Sequence, residues 1–166
     1  RVNLAALSCD DAELSALGAH HSREQLQNSL LFLEKFHMAN VNFEVLYGVP
    51  GQTAASWKRT LLTLAGVDAP QICIRPLVDA ASDKAWTTAQ TGEANTAQEG
   101  ISAAPLPSPE TRRAFYEQAQ HILGERGYTE IAPGDFAKSG LAPASGVFGP
   151  LMRAGADVLG LGAGAR

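Results

Sequence analysis

Asn42-Phe43-Glu44-Val45-Leu46-Tyr47-Gly48-Val49-Pro50-Gly51-Gln52-Thr53 decides how the rest of the chain is read. Val41, Phe43, Val45 and Tyr47 alternate with Asn42, Glu44 and Leu46, and β-branched and aromatic residues dominate. That is the period-two pattern of a strand with one apolar face. Gly48 ends the run, and Pro50 and Gly51 break regular structure. Thr53 stands where a helix N-cap belongs, ahead of an amphipathic stretch. Strand, glycine-containing loop and helix make a β–α unit, the repeat of parallel α/β folds. In such folds the loop at the carboxyl end of the strand faces the ligand. Glu44, Tyr47, Gly48 and Gln52 are therefore the first site candidates, the plain alternative being that Gly48-Val49-Pro50-Gly51 is only a turn.

Outward from that unit the alternation continues. Val2 to Leu7 reads as a short apolar strand. Asp10 with Glu13 has capping-box spacing and opens a short helix through Leu17, stopped by Gly18. Ser22 with Gln25 makes a second box, and Leu26, Leu30, Leu33 and Phe36 or His37 fall on one face of the helix that follows. After the turn, a helix from Ala54 to Ala65 buries Trp57, Leu61 and Leu64, and Gln71 to Leu77 is another apolar strand. Strands alternating with helices predict a parallel sheet with right-handed crossovers. Asp79 to Ala104, rich in Ala, Thr, Gln, Ser and Gly, reads as a flexible linker or a lid loop. Ser108 then caps a helix with Pro109 at its first position. That helix presents Ala114, Phe115, Ala119 and Ile122 or Leu123, and Gly127 ends it. Tyr128 to Ala132 reads as a strand, Pro133 to Gly149 as loop and Pro150 to Ala154 as one helical turn, ahead of a glycine-rich end.

Composition narrows the function classes. The 166 residues carry a formal net charge of -4 with no basic block, which argues against nucleic-acid binding. No apolar run reaches the length of a membrane span. Cys9 and Cys73 lie far apart without metal spacing, which predicts free, partly buried thiols in a reducing cytoplasm. His20-His21 has no third ligand at a helical spacing and reads as an exposed loop pair; His37 reads as a partner of a helix dipole, and His121 as structural. Asp10 and Asp11 are assigned to capping. Both ends suggest a piece of a longer chain: the start opens on a strand, and the end stops inside glycines.

Taken in order, several stretches resemble one family. They are Arg1-Val2-Asn3-Leu4, Leu17-Gly18 with His21, Glu44-Val45-Leu46-Tyr47-Gly48-Val49-Pro50-Gly51-Gln52-Thr53, Leu106-Pro107-Ser108-Pro109, Gly127-Tyr128 with Phe136-Ala137, and the run from Gly155 to Ala165. Together they look like the oxygen-independent coproporphyrinogen III oxidase (HemN-type) family of radical S-adenosylmethionine enzymes. The resemblance implies an α/β fold, the second half of a partial (β/α)6 barrel plus the start of a C-terminal α+β region. Residues 1–78 would carry barrel strands four to six, 79–104 the linker or lid, and 105–166 an incomplete C-terminal region. It implies S-adenosylmethionine and a [4Fe-4S] cluster in the full-length protein, a tetrapyrrole partner (coproporphyrinogen or haem), and oxidation of the dehydrogenase type through a 5′-deoxyadenosyl radical. Two other branches are the haem-utilisation methyltransferases, which open the ring, and the haem chaperones, beside which stands a degenerate homologue.

The same resemblance assigns residues. Glu44 would hold the ribose or amino acid end of the cofactor, Tyr47 and Gly48 would shape the adenosine pocket, and Arg75 would meet a propionate or else form a surface ion pair. The departures are specific. The cluster motif CxxxCxxC is not in this chain, the strand-end Gln of the family is Leu7, the Arg after Leu17-Gly18 is Ala19, and the strand Asp is Glu44. The fragment alone is expected to be inactive.

Overall fold

The computed structural model describes residues 2–38, 40–77 and 105–139. Its strands are β1 (Val2–Leu7), β2 (Val41–Tyr47), β3 (Gln71–Pro76), β4 (Tyr128–Ala132) and β5 (Asp135–Lys138). Its helices are α1 (Asp11–Ala16), α2 (Arg23–Lys35), α3 (Ala54–Ala65) and α4 (Pro109–Glu125). All five strands share one sheet in the order β1-β2-β3-β5-β4. β1, β2 and β3 run parallel, with Phe43 opposite Leu4 and Ile72, and Glu44 opposite Ala5 and Cys73. The expected α/β alternation with a parallel sheet is what these three strands form.

The loop expected from Pro133 onward is interrupted. β5 pairs antiparallel with β3 on one side and with β4 on the other. Pro133 and Gly134 make the turn between them, and Gly134 takes a φ of +75°. Only four residues form β5, its neighbours along β3 are remote in sequence, and Phe136 is the only large apolar residue in it. A run that short carries too little periodicity to announce a strand.

Helix starts follow local chemistry. Ser22 with Gln25 and Thr53 with Ser56 complete capping boxes, and Ser108 accepts from the Thr111 amide with Pro109 at the first position. The Asp10 side chain accepts from the amides of Ala12 and Glu13, and Asp11 accepts from the Arg23 amide. Each such bond satisfies a donor that the helix itself leaves open.

The core lies between the sheet and its helices. Phe43, Val45, Ile72 and Ile74 meet Leu26 and Leu30 of α2, Trp57, Leu61 and Leu64 of α3, and Phe115, Ala119 and Leu123 of α4. Trp57 is fully buried, and its Nε1–H donates to the Phe115 carbonyl at 2.8 Å. Two expectations about helix faces and the structural reading of His121 are corrected. Phe36 lies past the end of α2 and is 54% exposed, Ala114 is exposed, and His121 points outward to Glu125, 3.6 Å away. In each case the face turned to the sheet is narrower than the apolar stripe in the sequence. The linker or lid expected over 79–104, the turn at 150–154 and the glycine-rich end lie outside the described residues.

Candidate functional site

Because successive strand residues point to opposite sides, β2 presents Asn42, Glu44 and Leu46 away from the helices. This second face is polar in its middle. Asn3 Nδ2 donates to Glu44 Oε1 at 2.8 Å, Asn42 Nδ2 donates to Asn3 Oδ1, and the Cys73 thiol donates to Asn42 Oδ1 at 3.1 Å. The ladder crosses β1, β2 and β3 and leaves Glu44 half-buried. Arg75 continues it: Nη1 donates to the Ile74 carbonyl at 3.0 Å and Nη2 to Asp135 Oδ1 at 2.5 Å. Burial pulls the Arg75 guanidinium down, and the hydrogen bond and charge of Asp135 more than offset it, so its pKa is raised. Burial, with Asp135 and Glu44 adding to it, pushes the Cys73 thiol up to about 12. Cys9 is pushed up to about 11, again chiefly by burial. Both cysteines are free, as expected, and both are protonated at neutral pH.

Above this polar middle the strand ends turn apolar. Leu17, Val49 and Leu77 form a small buried cluster, joined by Leu7, Ala16, Leu46 and Leu106. Leu7 sits in the left-handed region at φ 58°, where the pairing of β1 with β2 shifts register.

The other sequence candidates lie elsewhere. Tyr47 follows Phe43 and Val45 onto the helix side, where its ring lies 6.1 Å from Trp57 and 6.0 Å from Tyr116. Gly48 has a φ of +79°, its N–H donates to Gln52 Oε1 at 2.7 Å, and a Cβ there would stand 3.0 Å from Cγ and Cδ of Arg112. Gln52 is consumed by the turn, since its Nε2 donates to Glu13 Oε2 at 3.0 Å and to the Leu46 carbonyl at 3.3 Å. The structure thus brings Glu44 and Arg75 to one face and separates them from Tyr47, while Gly48 and Gln52 build the turn.

Three residues escaped the sequence reading. Glu13 has capping-box spacing, but its carboxylate is buried and accepts from Ser8 Oγ at 2.6 Å, Ser56 Oγ at 2.5 Å and Gln52. It ties the end of β1, the glycine turn and the start of α3 together. Asp135 gave no signal because its strand gave none. Arg112 reaches the Gly48 turn from α4, and among the described residues its buried Nε has no partner. His21, read as exposed, is half-buried and lies 3.1 Å from the Ala6 carbonyl through Nε2, whereas His20 is exposed. A cavity of about 870 Å3 lies away from these groups, between α2 and the loop from Gly66 to Pro70.

Comparison with known proteins fits this architecture. The chain is 25% identical over 140 residues to radical S-adenosyl methionine domain-containing protein 1, mitochondrial, of Bos taurus, a match covering 84% of this chain and 29% of the relative. It is 26% identical over 140 residues to the heme chaperone HemW of Synechocystis, covering 84% and 32%. The chain is thus similar in sequence to a radical SAM domain protein and to the heme chaperone HemW. Its fold matches the solved coproporphyrinogen III oxidase (HemN) from Escherichia coli, a radical SAM enzyme, with a TM-score of 0.67 at 20% identity, over 83% of this chain and 29% of that one. No family model matches.

The chain spans about a third or less of the length of the curated relatives it matches. The two cysteines of the sequence cannot make a CxxxCxxC motif, and among the described residues no group of three His, Cys, Asp or Glu side chains is placed to hold a metal. The cluster therefore does not fit this chain. For the organic cofactor the fit is partial: Glu44 has one oxygen outside its bond to Asn3, while Gly48 has no free amide. Among the described residues no helix is long and apolar enough to cross a membrane.

Proposed function

We propose that this chain supplies one wall of a radical SAM barrel in a protein that acts on a tetrapyrrole, by oxidation of the coproporphyrinogen III dehydrogenase type. The observation that carries the reading is the polar face itself. A half-buried carboxylate, Glu44, shares this face with a cation, Arg75, which lies opposite Leu46 beside an apolar rim of Leu7, Leu46 and Leu77. A planar macrocycle bearing carboxylates is apolar in its body and anionic at its edge, and that face offers both kinds of contact. The radical chemistry would come from S-adenosylmethionine and a cluster held by residues outside this chain. The residues of this chain bind and orient: Glu44 accepts hydrogen bonds from the cofactor's hydroxyl or ammonium groups, and Arg75 faces a carboxylate of the tetrapyrrole. Tyr47, on the other side of the sheet, would act through the position of Gly48. Two free, protonated thiols agree with a reducing compartment.

Titration of S-adenosylhomocysteine and of coproporphyrin III onto the full chain, followed by calorimetry and porphyrin fluorescence, tests this. Glu44→Gln removes a charged acceptor and should weaken S-adenosylhomocysteine binding about tenfold or more, with porphyrin binding and the melting temperature unchanged. Equal affinities for the two proteins would remove Glu44 from the site. A second reading, a haem-binding chaperone, is favoured by the name of the Synechocystis relative. It predicts a Soret shift with haemin and no dependence on Glu44.

A further inference from the structure

Arg75 presents a half-exposed guanidinium on the polar face, with two of its N–H groups occupied. A guanidinium carries five N–H donors in a fixed fork. The Ile74 carbonyl takes one and Asp135 takes another in a short, charge-assisted bond. Asp135 is placed there by the backbone. A Cβ on Gly134 would stand 2.5 Å from the Ile74 carbonyl oxygen and 3.1 Å from Arg75 Nη1, so only glycine lets the β4–β5 turn approach β3 this closely. The approach is locked from both sides. Ile74 N–H donates to the Gly134 carbonyl at 2.8 Å, and Gly134 N–H donates to Glu130 Oε1 at 2.8 Å and to the Tyr116 hydroxyl at 3.1 Å. A short carboxylate on a pinned turn thus sits on the guanidinium where a ligand's carboxylate would sit.

We infer that Asp135 is the specificity-determining residue of the Arg75 site, an internal carboxylate that holds the fork until a ligand's carboxylate replaces it. The inference rests on the reading of Arg75 as a carboxylate receptor given above. It adds a selection rule. Exchange of one carboxylate for another gains little in charge, and Glu44 on the same face adds repulsion. A simple monocarboxylate is therefore rejected. A rigid apolar body carrying several carboxylates gains from the rim of Leu7, Leu46 and Leu77 and from the remaining donors of the fork.

The test compares the wild-type full chain with Asp135→Asn, Asp135→Ser and Asp135→Glu, using coproporphyrin III and its tetramethyl ester as fluorescent probes. Asn and Ser remove the charge, and either should tighten binding of the free acid about five- to tenfold, more steeply at low salt. Glu keeps the charge and should leave affinity at the wild-type level or below. The ester should bind all four proteins alike, and Arg75→Gln should erase the gain in either neutral background. Unchanged or weaker binding of the free acid by folded Asn and Ser variants overturns the inference, as does an equal gain for the ester. The result is separable from the cofactor reading, which stands or falls on Glu44→Gln and S-adenosylhomocysteine.

Discussion

On the helix side of the sheet, Phe43, Val45, Ile72 and Ile74 are at most 1% exposed and touch apolar neighbours. On the other side Asn42 and Cys73 are 1% and 4% exposed, nearly as deeply covered, but each is held by a directed bond, Asn42 to Asn3 and Cys73 to Asn42. The same three strands make both faces. Apolar contacts are non-directional and scale with area, so the helix side carries stability. Hydrogen bonds contribute little net free energy but fix geometry, so the polar face carries placement.

That division can be broken most severely at Trp57. Trp57→Ala opens a cavity and strips the Phe115 carbonyl of its donor, and should cost about 3–5 kcal/mol in urea unfolding. A loss below about 1 kcal/mol would mean that the helix side is not where stability resides. Glu13→Ala comes next. It takes the Ser8 hydroxyl's acceptor and one of the two acceptors of the Ser56 hydroxyl and the Gln52 amide, for a loss of about 2–3 kcal/mol, and Glu13→Gln should recover part of it.

A third effect is set by pH. The folded thiols ionise at about 11 for Cys9 and about 12 for Cys73, against 9.0 for the free group. Between pH 9 and those values the native state holds more protons than the unfolded one, so stability falls as pH rises through that window and is unaffected by these groups below it. Urea midpoints at pH 8 and 10.5 should show the fall, and Cys73→Ala should reduce it. The smallest expected change sharpens the comparison from the polar side. Asn3→Ala removes the exposed donor to Glu44 and the acceptor of the buried Asn42 amide, and should cost about 1 kcal/mol in stability while freeing the Glu44 carboxylate, which amide-resolved NMR across β1 and β2 would detect.

Most elements were legible because each begins with its own chemistry. Ser22, Thr53 and Ser108 cap where their side chains predict, Val2–Leu7 is apolar along most of its length, and Val41–Tyr47 alternates. The alternation even held the position of Tyr47, which shares parity with Phe43 and Val45 and not with Glu44. What stayed hidden depends on distance along the chain. Glu13 finds Gln52 and Ser56 only once α1 lies against α3, and no local spacing marks that meeting. Asp135 belongs to a strand whose pairing with β3 is purely tertiary. Phe36 and His121 show the converse, an apolar or near-apolar pattern that no neighbour covers among the described residues.

The contacts between α3 and α4 have one more consequence. The Trp57 indole donates to the Phe115 carbonyl, the Gln118 amide donates to the Ala54 carbonyl, and Arg112 lies against Gly48. Residues 78–104 therefore join by covalent bonds two pieces that already recognise each other side by side. The peptide link raises the effective concentration of one piece at the other. Cut there, the chain would become a bimolecular complex, and its melting temperature would start to depend on how much protein is in the tube.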